Sequence, residues 1–511
     1  MVKGRRAPAA ALLLALAPAC RAELKFAPVV DVRETYTDNV NLAPSAQARS
    51  QFLTEVAPGF GLDDDTSHLQ LHAAFRQHLF YTPNSDIPGT QRSQSQGSLD
   101  AKSMLVQDLL YLDATGSVSQ QAVSAFGAPV LDNGYTTNNR TKVKTYMVSP
   151  SLRHDFGQFA SGELRATRDS VDAGSTGFGN TKGNSVSASL GSGASFRTLG
   201  WGLQFYRQVL HDNQASQTPS SSTQSSSATV RYALGPTLTL TGNSGYDKNN
   251  YPADGGTTAG KFWLGGFEWG PSSRSSLAAS VGRRYFGKTA TMKASHRSRG
   301  TVWSMSYDDS ISTTRSNFLL PASISTSAML DRLFAATIPD PVVRAQIVQA
   351  YIAATGLPPS LADSVNYLSN RYFRQKQLQA AVAYQSTHST AMFSLFDTRR
   401  EAVSQFQSDS ELLGTSLSGL NDNTHQIGGT LMWNVQMTSR SAVNASYTNT
   451  RIESTSTGVV THNSAVRLML NRQIKAKLSG TLELRHAMGS VGPIGSDYKE
   501  NAVAASLNMQ L

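Results

Sequence analysis

In "HLQLHAAFRQHLFY" (68–81), Leu69, Leu71, Ala73, Phe75, Leu79 and Tyr81 fall on one face of an extended chain. His68, Gln70, His72, Arg76 and His78 fall on the other. "QIGGTLMWNVQM" (426–437) sets Ile427, Leu431, Trp433, Val435 and Met437 against Thr430, Asn434 and Gln436. "IKAKLSGTLEL" (474–484) sets Ile474, Ala476, Leu478, Leu482 and Leu484 against Lys475, Lys477, Ser479, Thr481 and Glu483, and "LLYLDATGSVS" and "RTLGWGLQF" repeat the pattern. Side chains alternate across a strand with period two, so these stretches predict β-strands with one apolar and one polar face.

A soluble sandwich shows the same alternation, because one face of each sheet meets water. Three features favour a transmembrane barrel instead. The strands run to about 10–14 residues, enough for tilted strands to cross a bilayer. The apolar face carries many small residues, which lipid tolerates better than a close-packed core does. The spacers alternate between short turns, such as "DDDT" (63–66), "DFGQ" (155–158) and "GPSS" (270–273), and long segments such as "VSAFGAPVLDNGYTTNNR". Short turns on one rim and long loops on the other are the habit of outer-membrane barrels. Pairing them predicts an all-β fold, a closed antiparallel outer-membrane barrel of about 22 strands with both termini in the periplasm. "GRRYFGKTATMKASHRSRG" (282–300) leaves the count open by two. "NAVAASLNMQL" alternates to the last residue and predicts a final strand that closes on "RETYTDNVNLAP" (33–44), whose strand would end at Asp38-Asn39.

The first 22 residues stand apart: a basic "MVKGRR", an apolar "APAAALLLALAPA" and small residues up to Ala22 predict a secretory signal, leaving 23–511 as one barrel. Cys20, the only cysteine, is then either removed with the signal or, in the poor lipobox "LAPAC", lipidated; no disulfide is possible. Removing four cations and no acid lowers the formal charge from +10 to +6, and nothing in the remainder resembles a nucleic-acid arm.

One segment breaks the β rhythm. In "IPDPVVRAQIVQAYIAATGLPP", Asp340 is placed as N-cap, Pro341 as first helical residue and Gly356 as the stop, with Val343, Ile347, Tyr351 and Ala354 as an apolar stripe. A second short helix is expected from Ser360 to Leu368. Residues 313–370 thus predict a helical insertion in an outer loop, folded into or over the barrel mouth.

Several stretches occur in an order that resembles a known family: "YTDNVNL", "VAPGF" (56–60), "IPDPVVRAQIV" followed by "TGLP", and "NRYFRQKQLQAAVAY" (370–384). The chain is similar over its mature length to the outer-membrane proteins associated with the PEP-CTERM system, found beside exosortase and exopolysaccharide genes. The resemblance implies a porin-like conduit for surface polysaccharide, working with periplasmic export proteins. The alternative is a non-conducting barrel that anchors an export complex or surface proteins.

Alternation assigns Arg76, Lys142, Lys144, Arg165, Arg284, Arg467, Lys475, Lys477 and Arg485 to the lumen, against Asp113, Glu163, Glu268 and Glu483. A wall of one sign concentrates counter-ions, so this predicts a pore for acidic solutes or polymer. Otherwise the interior is salt-bridged, and spare cations meet lipopolysaccharide phosphates at the outer rim. Trp201, Phe205, Trp263, Phe267, Trp269, Trp433, Tyr81 and Tyr285 are expected in lipid-facing girdles, with Phe80, Tyr111, Tyr206, Phe262 and Phe286 facing the lumen. His68, His72 and His78 share a face, but strand residues four apart lie about 13 Å from each other, too far for one metal ion. Asp63-Asp64-Asp65 reads as a solvated turn. No Walker, HExxH, GxSxG or CxxC motif occurs, so no enzyme and no cofactor is expected, with a hydrolase borne on the outer loops as the remaining alternative.

Overall fold

The computed structural model describes residues 24–82, 92–129, 139–174, 178, 180–212, 221–251, 258–319, 326–334, 348, 366–369, 371–404, 419–492 and 496–511. The signal expectation and Cys20 lie outside these residues. The first strands are β1 (Lys25–Thr37), β2 (Gln51–Asp65), β3 (Leu69–Tyr81), β4 (Ser93–Val106), β5 (Leu110–Ala122) and β6 (Arg140–Asp155). They continue with β7 (Ala160–Asp172), β8 (Asn180–Ser192), β9 (Leu199–Asp212), β10 (Ser221–Ala233), β11 (Leu238–Asn250) and β12 (Ala259–Ser272). Next come β13 (Ser275–Arg284), β14 (Gly287–Arg297), β15 (Thr301–Thr313), the helices α1 (Thr314–Leu319) and α2 (Thr326–Phe334), and β16 (Tyr372–Gln385). The last six strands are β17 (Ser389–Ala402), β18 (Thr424–Thr438), β19 (Ser441–Ser454), β20 (Val460–Lys475), β21 (Leu478–Val491) and β22 (Ser496–Gln510).

Every strand pairs antiparallel with the next, and β1 pairs β22 from Thr37↔Ala502 to Val29↔Gln510, so the 22-stranded sheet is a closed barrel. Closure satisfies each backbone N–H and C=O without water, which a lipid-facing wall requires. The predicted seam is stitched by side chains as well. The Asn501 backbone N–H donates to Asp38 Oδ1 at 2.7 Å, and buried Asn39 donates to the carbonyls of Ala43 and Lys499 at 2.7 and 2.8 Å. The outward face is apolar and uncovered, with Trp263, Val281 and Trp433 each more than half exposed.

One rim carries only short turns, from the two residues between Ser272 and Ser275 to the six between Ser192 and Leu199. The other rim carries the long connections and one low point. There the ambiguous 282–300 stretch resolves as a tight hairpin, β13 and β14 joined by Tyr285-Phe286, with Gly287 at φ +118°, a conformation that L side chains avoid. The Asp63-Asp64-Asp65 cluster belongs to the end of β2 rather than to a turn.

The apolar core lies inside the barrel, on the segment between β15 and β16. Met329, Leu330, Leu333 and Phe334 of α2 pack on inward-facing Val302, Ala381, Ala383, Met392 and Met432 of β15–β18. Those wall residues sit beside the short-turn rim, so the insertion descends nearly the whole lumen. Each such side chain gains about 1.5–3 kcal/mol on burial. The expected helix from Asp340 to Gly356 falls outside the described residues except Val348, which is helical and buried in the same cluster. The end of the second expected helix is not helical, for Tyr367 makes a parallel bridge to Ala122.

Candidate functional site: the occupied lumen

Partners across a strand pair share a face, so the register sorts the nine basic candidates. Arg76, Arg165, Arg284, Arg467 and Arg485 face inward, and each meets a carboxylate: Arg76–Asp31 at 3.3 Å, Arg165–Asp113 at 2.6 Å and –Glu163 at 2.8 Å, Arg284–Asp247 at 3.2 Å, Arg467–Glu483 at 3.3 Å and Arg485–Glu500 at 2.8 Å. Arg33, absent from the sequence expectation, adds a contact to Glu483 at 2.9 Å. Sequence reading also missed Asp31, Asp247 and Glu500, so these five cations line the lumen as compensated ion pairs and not as a basic wall. His72 bonds Asp63 at 2.9 Å, and His78 bonds Glu55.

The other four candidates are corrected. Lys142 and Lys144 point outward, in register with Gln120 and Val118, while Val143 between them faces in. The parity misled because the lumen is filled here. Buried Val143 and Val171 pack with Phe178 and Leu368, against which Phe318 of α1 rests, so apolar residues belong inside at this height. Lys475 is the exposed last residue of β20, paired with Leu478 after a register shift, and Lys477 lies exposed in the two-residue turn to β21, so both sit at the short-turn rim and not along the lumen.

Near the long-loop rim, α1 reaches across the lumen. Arg315 pairs with Asp169 of β7; their side chains are 6% and 3% exposed. A Cβ on Gly183 would come within 2.6 Å of the Arg315 guanidinium and 2.7 Å of the Asp169 carboxylate, so this pair requires glycine on β8. Burial lowers the Arg315 pKa to about 10, and its Nε has no hydrogen-bond partner among the described residues.

Beside Arg315 lies a cavity of about 410 Å³. Above the Thr291↔Asp308 pair, β15 leaves β14, and the β15–β16 ribbon leans over the low β13–β14 hairpin: Thr289 Oγ1 donates to the Asp309 carbonyl at 2.7 Å. This brings Tyr372 onto Tyr251, with ring centroids 4.4 Å apart and nearly parallel, and its hydroxyl donates to Ser221 Oγ at 2.7 Å. Tyr206, Tyr285 and Phe286 complete an aromatic lining, with Arg284 and Asp247 at its base. Arg284 also lies 4.4 Å over the Phe262 ring. Burial raises the Tyr251 and Tyr285 pKa values above the usual phenol range. Tyr206 and Phe262 face inward as expected, whereas Tyr285 belongs to this pocket and not to a lipid girdle. A second chamber, about 810 Å³, lies at the short-turn end beside Met329, between Glu268, Lys293 and Gln379.

No family model and no curated protein matches the chain, so the PEP-CTERM resemblance rests on its motifs alone. Solved structures do match. A mutant of the ferric enterobactin receptor PfeA from Pseudomonas aeruginosa, in complex with enterobactin, is 10% identical with a TM-score of 0.48, covering 96% of this chain and 82% of that one. The siderophore receptor PirA from Acinetobacter baumannii is 7% identical with a TM-score of 0.46, covering 95% and 80%. The FrpB iron transporter from Neisseria meningitidis is 11% identical with a TM-score of 0.46, covering 99% and 83%. The likeness is one of fold, that of an outer-membrane β-barrel. The expected polysaccharide conduit is corrected. The lumen a polymer would thread is occupied by α1, which reaches Asp169, and by α2, seated on β15–β18.

Proposed function

We propose that this barrel is an outer-membrane receptor that takes a small solute from outside and admits it past its own internal insertion. The observation that carries the reading is the seating of α2 in the lumen, on the inward faces of β15–β18. A freely conducting pore has no use for such a plug. In this reading the long-loop rim faces the medium and both termini lie in the periplasm. The solute first meets the pocket of Tyr206, Tyr251, Tyr285 and Tyr372 with Arg284 and Arg315. Aromatic faces stack on a planar ring, and the Arg315 Nε–H, which has no partner among the described residues, is left to donate to an acidic oxygen, so an aromatic or ring-bearing anion fits this lining.

Two measurements test the reading. In planar bilayers the wild type conducts poorly, and Leu330→Ala/Phe334→Ala raises the single-channel conductance several-fold; a large, steady wild-type conductance would refute the receptor. Ferric enterobactin, the ligand class of the PfeA receptor, is the first probe for binding. Tyr372→Ala weakens saturable binding by about 1–3 kcal/mol if the ring stacks on the ligand. Undiminished binding in that variant removes the pocket from the proposal.

A further inference from the structure

On the outward face, close to the long-loop rim, lies a belt of basic side chains that the receptor reading does not use. It begins with Lys142 and Lys144 on β6, Arg168 on β7, Lys182 on β8 and Arg207 on β9. It continues with Lys248 on β11, Lys261 on β12, Arg283 on β13 and Lys288 on β14. Among the described residues none of the nine has an ion-pair partner, and Asp172 is the one carboxylate on this part of the face. Two details go beyond simple exposure. Arg283 and Lys288 stand directly opposite each other across β13 and β14, an arrangement that costs stability unless an anion lies between them. Arg207 and Lys248 flank Gln224 on β10, about 10 Å apart at ordinary strand spacing.

Directly along the strands, on the same face and away from the rim, the apolar band begins: Tyr146, Phe205, Tyr246, Trp263 and Val281 are all exposed. The partner must therefore offer several negative charges at the level where its hydrocarbon starts. The β16–β19 sector of the rim is built otherwise, for the outward cations of β16, β17 and β19 have carboxylates: Arg374–Asp309 at 2.8 Å, Lys376–Glu401 at 3.8 Å, Arg399–Asp397 at 3.9 Å and Arg451–Glu453 at 2.8 Å.

We infer that the β6–β14 sector is a docking surface for a phosphorylated, multiply acylated glycolipid of the outer leaflet, with the belt on its phosphates and the apolar band on its chains. The inference rests on the orientation in which the long-loop rim faces outward. An acidic protein would meet the charges but not the hydrocarbon-facing band immediately below them.

The test is native mass spectrometry of the full chain in detergent micelles, titrated with bisphosphorylated lipid A and, separately, with its dephosphorylated form. The wild type retains the phosphorylated lipid preferentially. Arg207→Gln/Lys248→Gln/Arg283→Gln/Lys288→Gln lowers that retention at least about ten-fold, since each cation near an anionic surface adds on the order of 1 kcal/mol. The control Lys376→Gln/Arg399→Gln, in the compensated sector, changes it less than two-fold. Heat-dependent gel mobility confirms that each variant is folded. Equal retention of the dephosphorylated lipid, or an unaffected quadruple variant, overturns the inference; so does an acidic protein that displaces lipid A from the wild type. Orientation is scored separately: Thr457→Cys, in the β19–β20 loop, reacts on intact cells with a maleimide that cannot cross membranes. Failure there sinks the orientation and leaves the lipid titration to be judged by itself.

Discussion

Arg283 and Arg284 are neighbours in the chain and have opposite surroundings. Arg284 faces the lumen, bonds Asp247 and lies over Phe262, while Arg283 faces outward, opposite Lys288. The same division holds on β7, where Arg165 is held between Asp113 and Glu163 and Arg168 stands exposed without a carboxylate. Inside the barrel a charge loses much of its hydration and must be compensated, so the paired arginines are structural. Outside, at the polar rim, a charge keeps its water and remains available to a partner.

The sharpest way to break this comparison is Glu483→Ala, because Arg33, Arg467 and Arg485 all approach that one carboxylate. Removing it leaves buried cations under-compensated, and urea unfolding should register a loss of about 3–5 kcal/mol. Next is Gly183→Ala, whose methyl group would displace the Arg315–Asp169 pair. The expected loss is about 1–3 kcal/mol, with a rise in conductance as α1 leaves the mouth. A finer comparison sets Arg284→Gln against Arg283→Gln. The first exposes the loss of a partly buried pair; the second, by relieving the clash with Lys288, changes stability by less than about 1 kcal/mol and in the favourable direction. Equal losses for the two would abolish the distinction between the faces. The smallest effect is a pH response. Burial raises the folded pKa of Tyr251 and Tyr285 above the unfolded value of 10.0, so their contribution to stability is complete below that pH and is lost as pH rises beyond it. Tyrosinate absorbance of Tyr285→Phe should rise by one phenol less than the wild type above the usual phenol range.

The strand pattern made the barrel legible because one face of every strand meets lipid, and period two survives along its whole length. The same regularity concealed the turn at Lys475–Leu478. Across the β20–β21 hairpin, odd positions pair with odd positions, as in Arg467↔Arg485, so alternation passes through the turn without a break. Lys142 and Lys144 were misassigned for a different reason. A polar lumen is the rule for an empty barrel, but Val143 and Val171 face a filled one, and filling is a tertiary fact that no window of β6 records. The insertion was visible as a helical interruption, yet α1 and α2 lie upstream of the stretch with the clearest caps. The pocket was least legible. Tyr251, Tyr285 and Tyr372 are separated by long runs of chain and meet only because the β13–β14 hairpin is low enough for another ribbon to lean over it.

The position of the insertion also constrains the order of assembly. Residue 315, between β15 and β16, is bound to residue 169 on the far side of the lumen, and α2 sits at the opposite rim from the one where its segment enters. A curled sheet that is still open along one edge can wrap around such a segment, whereas a finished cylinder would have to swallow it through a mouth that α1 itself bridges. The contact of Asp38 and Asn39 with the final strand is therefore the clasp of a sleeve fastened around its contents, and the last bonds made at the seam are those that commit the interior to its place.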